Sequence, residues 1–84
     1  MTVKLLKQTE FLNFSDISEV MKFTGKTKII GVGNNSGEKL GIIKWKVGWR
    51  RYTFEPYPET VWDCKCLTDI IEFINELMEE RKCI

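Results

Sequence analysis

Eighty-four residues, 43% of them hydrophobic and 30% charged with only two prolines, suffice for one domain (residues 1–84) and are too apolar for a disordered chain. The net charge of +1 conceals a segregation: residues 39–52 carry five cations and no acid, whereas residues 63–80 carry six acids and one lysine. The absence of histidine removes the commonest general base and metal ligand, and no apolar run reaches the roughly 18 residues that span a bilayer.

The opening segment, MTVKLLKQTE, is too short and too polar for a secretory signal. With it, three cysteines in odd number point to a reducing compartment, so a cytoplasmic location is expected. A domain of this size buries only roughly 60–65% of the surface its unfolded chain exposes. Self-association into a homo-oligomer is therefore expected, since opposite charged poles attract.

Val3 to Lys7 reads as a short strand. Phe11, Leu12 and Phe14 follow without a clear period and read as a flap over the core. Ser15 then has the chemistry of a helix N-cap, with Asp16 and Glu19 in the first turn and Gly25 as a stop. Ile17, Val20, Met21 and Phe23 would form its apolar stripe, predicting a short helix over 15–24. Lys28 to Gly33 is a β-branched strand, and Asn34-Asn35-Ser36-Gly37 is turn chemistry.

Leu40 to Val47 and Arg50 to Glu55 read as two further strands joined by a tight loop through Gly48. Placing Trp45 opposite Arg50 sets Ile43 against Tyr52, Gly41 against Phe54 and Lys44 against Arg51. One face then holds Ile43, Trp45, Tyr52 and Phe54, a buried set, and a one-residue slip would mix the two faces. Pro56 and Pro58 make the next segment a stiff connector, with Thr60 to Trp62 as a short fourth strand. Asp63 is the expected N-cap of a helix over 64–82, with Trp62 and Leu67 as a hydrophobic staple and Arg81 and Lys82 at the favourable C-terminal end. Leu67, Ile70, Ile71, Ile74, Leu77 and Met78, widened by Phe73, repeat at helical spacing. The expected class is α+β, an antiparallel meander of three to four strands with the short N-terminal helix and the long C-terminal helix on one face.

Most chemical motifs dissolve on inspection. Gly31 to Gly37 leads into a strand rather than a helix, so it is a hairpin turn and not a phosphate loop. Cys64 and Cys66 lie at a helix start, where a thiol can be activated, but Cys83 is about 25 Å further along at 1.5 Å per residue. No metal site is expected from so few ligands. The acids Asp69, Glu72, Glu76, Glu79 and Glu80 have no loop to wrap a cation and read as a solvated helix face, or as a docking face for a basic protein. What core packing leaves unexplained is Trp49 among Lys44, Lys46, Arg50 and Arg51. Rings that stack with bases, beside cations that meet phosphate, suit nucleotides and single strands.

From Leu40 onward the chain resembles a family of small, largely uncharacterised proteins of bacteriophages and prophages. The residues that carry the resemblance are Gly41, Ile43 and Trp45; Trp49, Arg50, Tyr52 and Phe54; Pro56; Thr60 and Val61; then Cys66, Leu67, Ile70, Phe73 and Ile74. Val47-Gly48 stands where the family pattern has Gly-Pro. The resemblance implies a phage or mobile-element origin, and so the host cytoplasm. The element order is also similar to a double-stranded-RNA-binding domain, but Asp63-Cys64-Lys65-Cys66 replaces the basic cluster such domains carry, and that function does not transfer.

No nucleophile–base pair and no cofactor loop is evident. The expected function is non-enzymatic: an anionic ligand, either a nucleotide signal or a nucleic-acid strand, held by Lys44, Lys46, Trp49, Arg50 and Arg51 to antagonise host defence. The alternative is a protein–protein adaptor or inhibitor acting on a host protein through the acidic C-terminal helix. No cofactor is expected.

Overall fold

The computed structural model describes residues 4–19 and 27–82, with side chains to Glu80. Its elements are β1 (Lys4–Gln8), β2 (Leu12–Asp16), β3 (Ile30–Asn34), β4 (Lys39–Lys46), β5 (Arg51–Pro56) and α1 (Cys64–Lys82). The five strands form one antiparallel sheet in the order β1-β2-β3-β4-β5, and α1 packs across one face.

Two expectations are overturned. The sheet has five strands rather than three or four, and among the described residues no N-terminal helix exists. Ser15 and Asp16, read as its cap and first turn, end β2 opposite Gly31 and Ile30. Capping chemistry is present, but Asp16 Oδ1 accepts the Ser18 N–H at 3.0 Å and so closes an Asx turn. Ile17 N–H donates to Ile29 O at 2.9 Å, carrying the β2–β3 ladder one step further. Residues 20–26, with Val20, Met21, Phe23 and Gly25 of the expected helix, lie outside the described residues, as does Cys83.

The supposed flap is β2 itself. Leu12 and Phe14 alternate with Asn13 and Ser15, the half-buried pattern of a strand with one covered face. Phe14 is fully buried and stacks on Phe73 of α1, with centroids 4.3 Å apart and planes 7° from parallel. Around that pair close Leu12, Ile30, Val32, Ile43, Tyr52, Ile70 and Leu77. The buried Tyr52 hydroxyl oxygen accepts the Lys28 N–H at 3.2 Å, so its polar end is satisfied.

The connector has its own logic. Thr60 to Trp62 forms no strand. Thr60 Oγ1 donates to Tyr57 O at 2.8 Å and accepts from Trp62 Nε1 at 2.8 Å, which turns the indole edge-on to Phe54 at 4.8 Å. Pro58 and Glu59 form a turn in which Glu59 takes a positive φ of 65°.

Asp63 caps α1 as its sequence predicts: Oδ1 accepts the Cys66 N–H at 2.9 Å. That bond is the main cause holding the Asp63 carboxyl below its ordinary value of 3.8. A group with a depressed folded pKa stabilises above its unfolded pKa and loses that contribution as pH falls through the folded value. Asp63→Asn, which still caps, should therefore match wild type near neutral pH yet show a shallower loss of melting temperature below about pH 4. Asp63→Ala should be the less stable variant at neutral pH. Thermal melts across pH check both.

Candidate functional site

The candidate site read from the sequence is the β4–β5 hairpin, and its register is where structure and sequence differ most usefully. The pairs are Ile43↔Phe54, Lys44↔Thr53, Trp45↔Tyr52 and Lys46↔Arg51, a shift of the pairing by two positions from the expected one. An even shift keeps every side chain on its expected face. Tyr52 and Ile43 are buried, Trp45 and Phe54 pack beside them, and Trp45 meets Tyr52 edge-on at 5.4 Å.

The cause lies in the loop. Val47 to Arg50 makes a tight turn in which Trp49 N–H donates to Lys46 O (3.1 Å) and Arg50 N–H to Val47 O (3.2 Å). Arg50 takes the left-handed conformation, φ 52°, which ends the turn and makes Arg51 the first strand residue. No glycine marks that position, so the sequence offered no signal for it.

The consequence for charge is specific. Lys44, expected opposite Arg51, instead faces Thr53 and reaches Glu55 at 3.6 Å, so its charge is partly answered. The like-charge pair moves to Lys46 and Arg51, directly opposed and both exposed. Such a pair is destabilising by a few tenths of a kcal/mol up to about 1 kcal/mol. Trp49 is 61% exposed at the tip, with Lys46 Nζ 5.1 Å from its ring centroid, and Arg51 Nε donates to Trp49 O at 3.3 Å. The structure thus gathers Lys46, Trp49, Arg50 and Arg51 and sets Lys44 slightly apart. The exposed Val47 beside them was missed by sequence reasoning, which assigned it to the strand.

The acidic helix is a different kind of surface from the one expected. Asp69 accepts the Thr9 hydroxyl at 2.7 Å, Glu76 pairs with Lys7 at 3.0 Å and Glu80 with Lys28 at 3.0 Å. Asp69, Glu76 and Glu80 thus meet partners within the fold, the last two through solvent-exposed pairs that contribute little. Trp62 packs against Phe54 while Leu67 and Ile71 are exposed, so the apolar stripe is narrower than its sequence suggests.

Burial, and then the Asp63 carboxylate, push the Cys66 thiol above its ordinary value, the opposite of activation. No group of three metal-ligating side chains occurs among the described residues. The glycine-rich segment is a hairpin turn, with Asn34 Oδ1 accepting the N–H groups of Ser36 (3.0 Å) and Glu38 (2.9 Å). On the sheet face away from α1, a groove of about 360 Å³ runs over Gly31 and Gly33. A Cβ at Gly33 would lie 2.9 Å from Glu38 O and one at Gly31 3.2 Å from Ile17 Cγ2, so close packing of neighbours accounts for both glycines.

No helix among the described residues is long and apolar enough to cross a membrane. No protein-family model matches the chain, and no solved structure matches it. The chain is 46% identical over 79 residues to a protein of Acholeplasma phage L2 described as "Uncharacterized 9.3 kDa protein", covering 92% of this chain and 96% of that one.

Proposed function

The chain belongs to a family of small phage proteins, and from that premise we propose that it is a non-enzymatic binder of a nucleic-acid strand through the β4–β5 tip. The observation that carries the reading is Lys46 directly opposite Arg51 beside an exposed Trp49. A hairpin shaped only for stability would place an acid at one of those positions. An exposed ring flanked by cations supplies stacking and phosphate contact together.

Shape supports one of the two expected ligands over the other. Enclosed small-molecule sites are concave, whereas this tip is a protruding turn with its side chains in solvent. That favours a strand passing over the tip against a mononucleotide held in a pocket. In the cytoplasm of an infected host, occupying the strand would withhold it from nucleic-acid-handling defence complexes. The adaptor reading loses ground because Asp69, Glu76 and Glu80 are already engaged within the fold.

The test is titration of a labelled single-stranded oligonucleotide against wild type and Lys46→Glu/Arg51→Glu, followed by fluorescence anisotropy at several salt concentrations. The double reversal leaves a like-charge pair across the ladder, so stability should barely change. Affinity should fall at least about a hundred-fold, since a charged hydrogen bond contributes about 1.5–3 kcal/mol. Loss of two phosphate contacts should also flatten the log–log salt dependence by about 1.4. Unchanged affinity and slope, or no binding by wild type, would refute the assignment.

A further inference from the structure

The antiparallel meander sorts its turns to two ends. The β4–β5 tip lies at one end. At the other, the β1–β2 turn, the β3–β4 turn and the connector after β5 come together around a cleft of about 580 Å³. Its apolar lining includes Phe11, 43% exposed, and Val61, 94% exposed. Glu10, Glu38, Glu59 and Asp63 rim it, against one lining cation, Lys39. Lys65 lies just outside, 3.7 Å from Glu10.

The two ends are complementary in both respects. The tip offers two exposed apolar side chains, Val47 (80% exposed) and Trp49, and three cations, Lys46, Arg50 and Arg51. The cleft offers the exposed apolar side chains Phe11 and Val61, and its lining residues carry a net charge of three negatives. Each end alone leaves apolar side chains in water and an excess of one sign of charge; together they relieve both.

We propose that copies of this chain associate head to tail, the β4–β5 tip of one seating in the acid-rimmed cleft of the next. The surfaces differ, so the contact is heterologous. It propagates into open chains or closes into rings rather than stopping at a two-fold dimer. It also uses the residues assigned to the strand, so a bound strand and a neighbouring copy compete for the same tip. The association itself does not rest on that assignment.

Sedimentation velocity without any nucleic acid tests it. Wild type at low ionic strength should show an average mass that rises with concentration past the dimer and collapses at about 1 M salt, where the screening length is about 3 Å. Lys46→Glu/Arg51→Glu has an acidic tip and an acidic cleft, whereas Glu38→Lys/Glu59→Lys has a basic tip and a basic cleft. Each variant alone should be monomeric. Mixed in equal amounts they should assemble again, because both junctions between them are complementary, and misfolded proteins could not recover in this way. A monomeric wild type at every concentration in low salt, association of either variant alone at wild-type strength, or a monomeric mixture would each overturn the proposal.

Discussion

Phe14→Ala is expected to remove a large part of the stability of the domain. Phe14 has no solvent exposure and stacks on Phe73, so it joins β2 to the middle of the helix. Truncating a buried phenylalanine costs about 3–5 kcal/mol, through lost transfer energy and the cavity left behind. A domain of this length has about 4–13 kcal/mol in total at typical values per residue. At about 4–8 °C per kcal/mol the melting temperature should fall by at least about 12 °C, or the cooperative transition should vanish. Phe14→Leu keeps most of the volume and should lose far less. Phe73→Ala should be comparably damaging, and the double variant less so than the summed singles, by about 0.5–1.5 kcal/mol for the ring pair. Melting of Phe14→Ala within about 4 °C of wild type would show that the two rings do not anchor the helix.

Trp49→Ala should do the reverse, changing binding and leaving the fold nearly intact. The ring is mostly in solvent, and its contact with Lys46 contributes about 0.5–1 kcal/mol at an exposed site. Stacking on a base contributes about 1–3 kcal/mol, so strand affinity should drop by about ten- to a hundred-fold. Trp49→Phe, which keeps an aromatic face, should recover part of the loss. Measurement belongs at protein concentrations low enough to keep the chain monomeric, where a neighbouring copy cannot occupy the tip. Equal affinity in wild type and Trp49→Ala would remove the ring from the site and leave only its cations.

The parts of the fold that were legible in the sequence share a property: their signal is periodic and local. Ile70, Phe73 and Leu77 recur at helical spacing behind an Asp cap, and α1 runs from Cys64 to Lys82 as that pattern requires. The division of the hairpin into a core face and a solvent face was also legible, because alternation survives any even error in register. The register itself was not, since it turned on a left-handed arginine where a glycine would have announced it. β2 was hidden for another reason. Its two buried residues are too few to establish a period, and Ser15-Asp16 looks the same before a helix as before an Asx turn.

For the site, residue types were readable and partners were not. Lys46, Trp49, Arg50 and Arg51 stand close together in the chain, so a local reading finds them. That Lys44 answers to Glu55, and that Glu76 and Glu80 answer to Lys7 and Lys28, depends on strand order. The cleft is the extreme case. Glu10, Glu38, Glu59 and Asp63 are scattered along the sequence, and only the meander collects them.

That same meander has a kinetic meaning. Every strand pairs only with its neighbours in the chain; the β1–β2, β3–β4 and β4–β5 loops are short, the β2–β3 connection is longer, and loop-closure entropy grows only slowly with that length. Helix docking is the step that joins distant segments, through Phe14 and Phe73 and through the ion pair between Lys7 and Glu76. The sheet can therefore zip by local steps, while its apolar face remains wet until α1 arrives. Truncating Phe73 should therefore divide its stability loss between slower folding and faster unfolding according to how much of that face the transition state already covers.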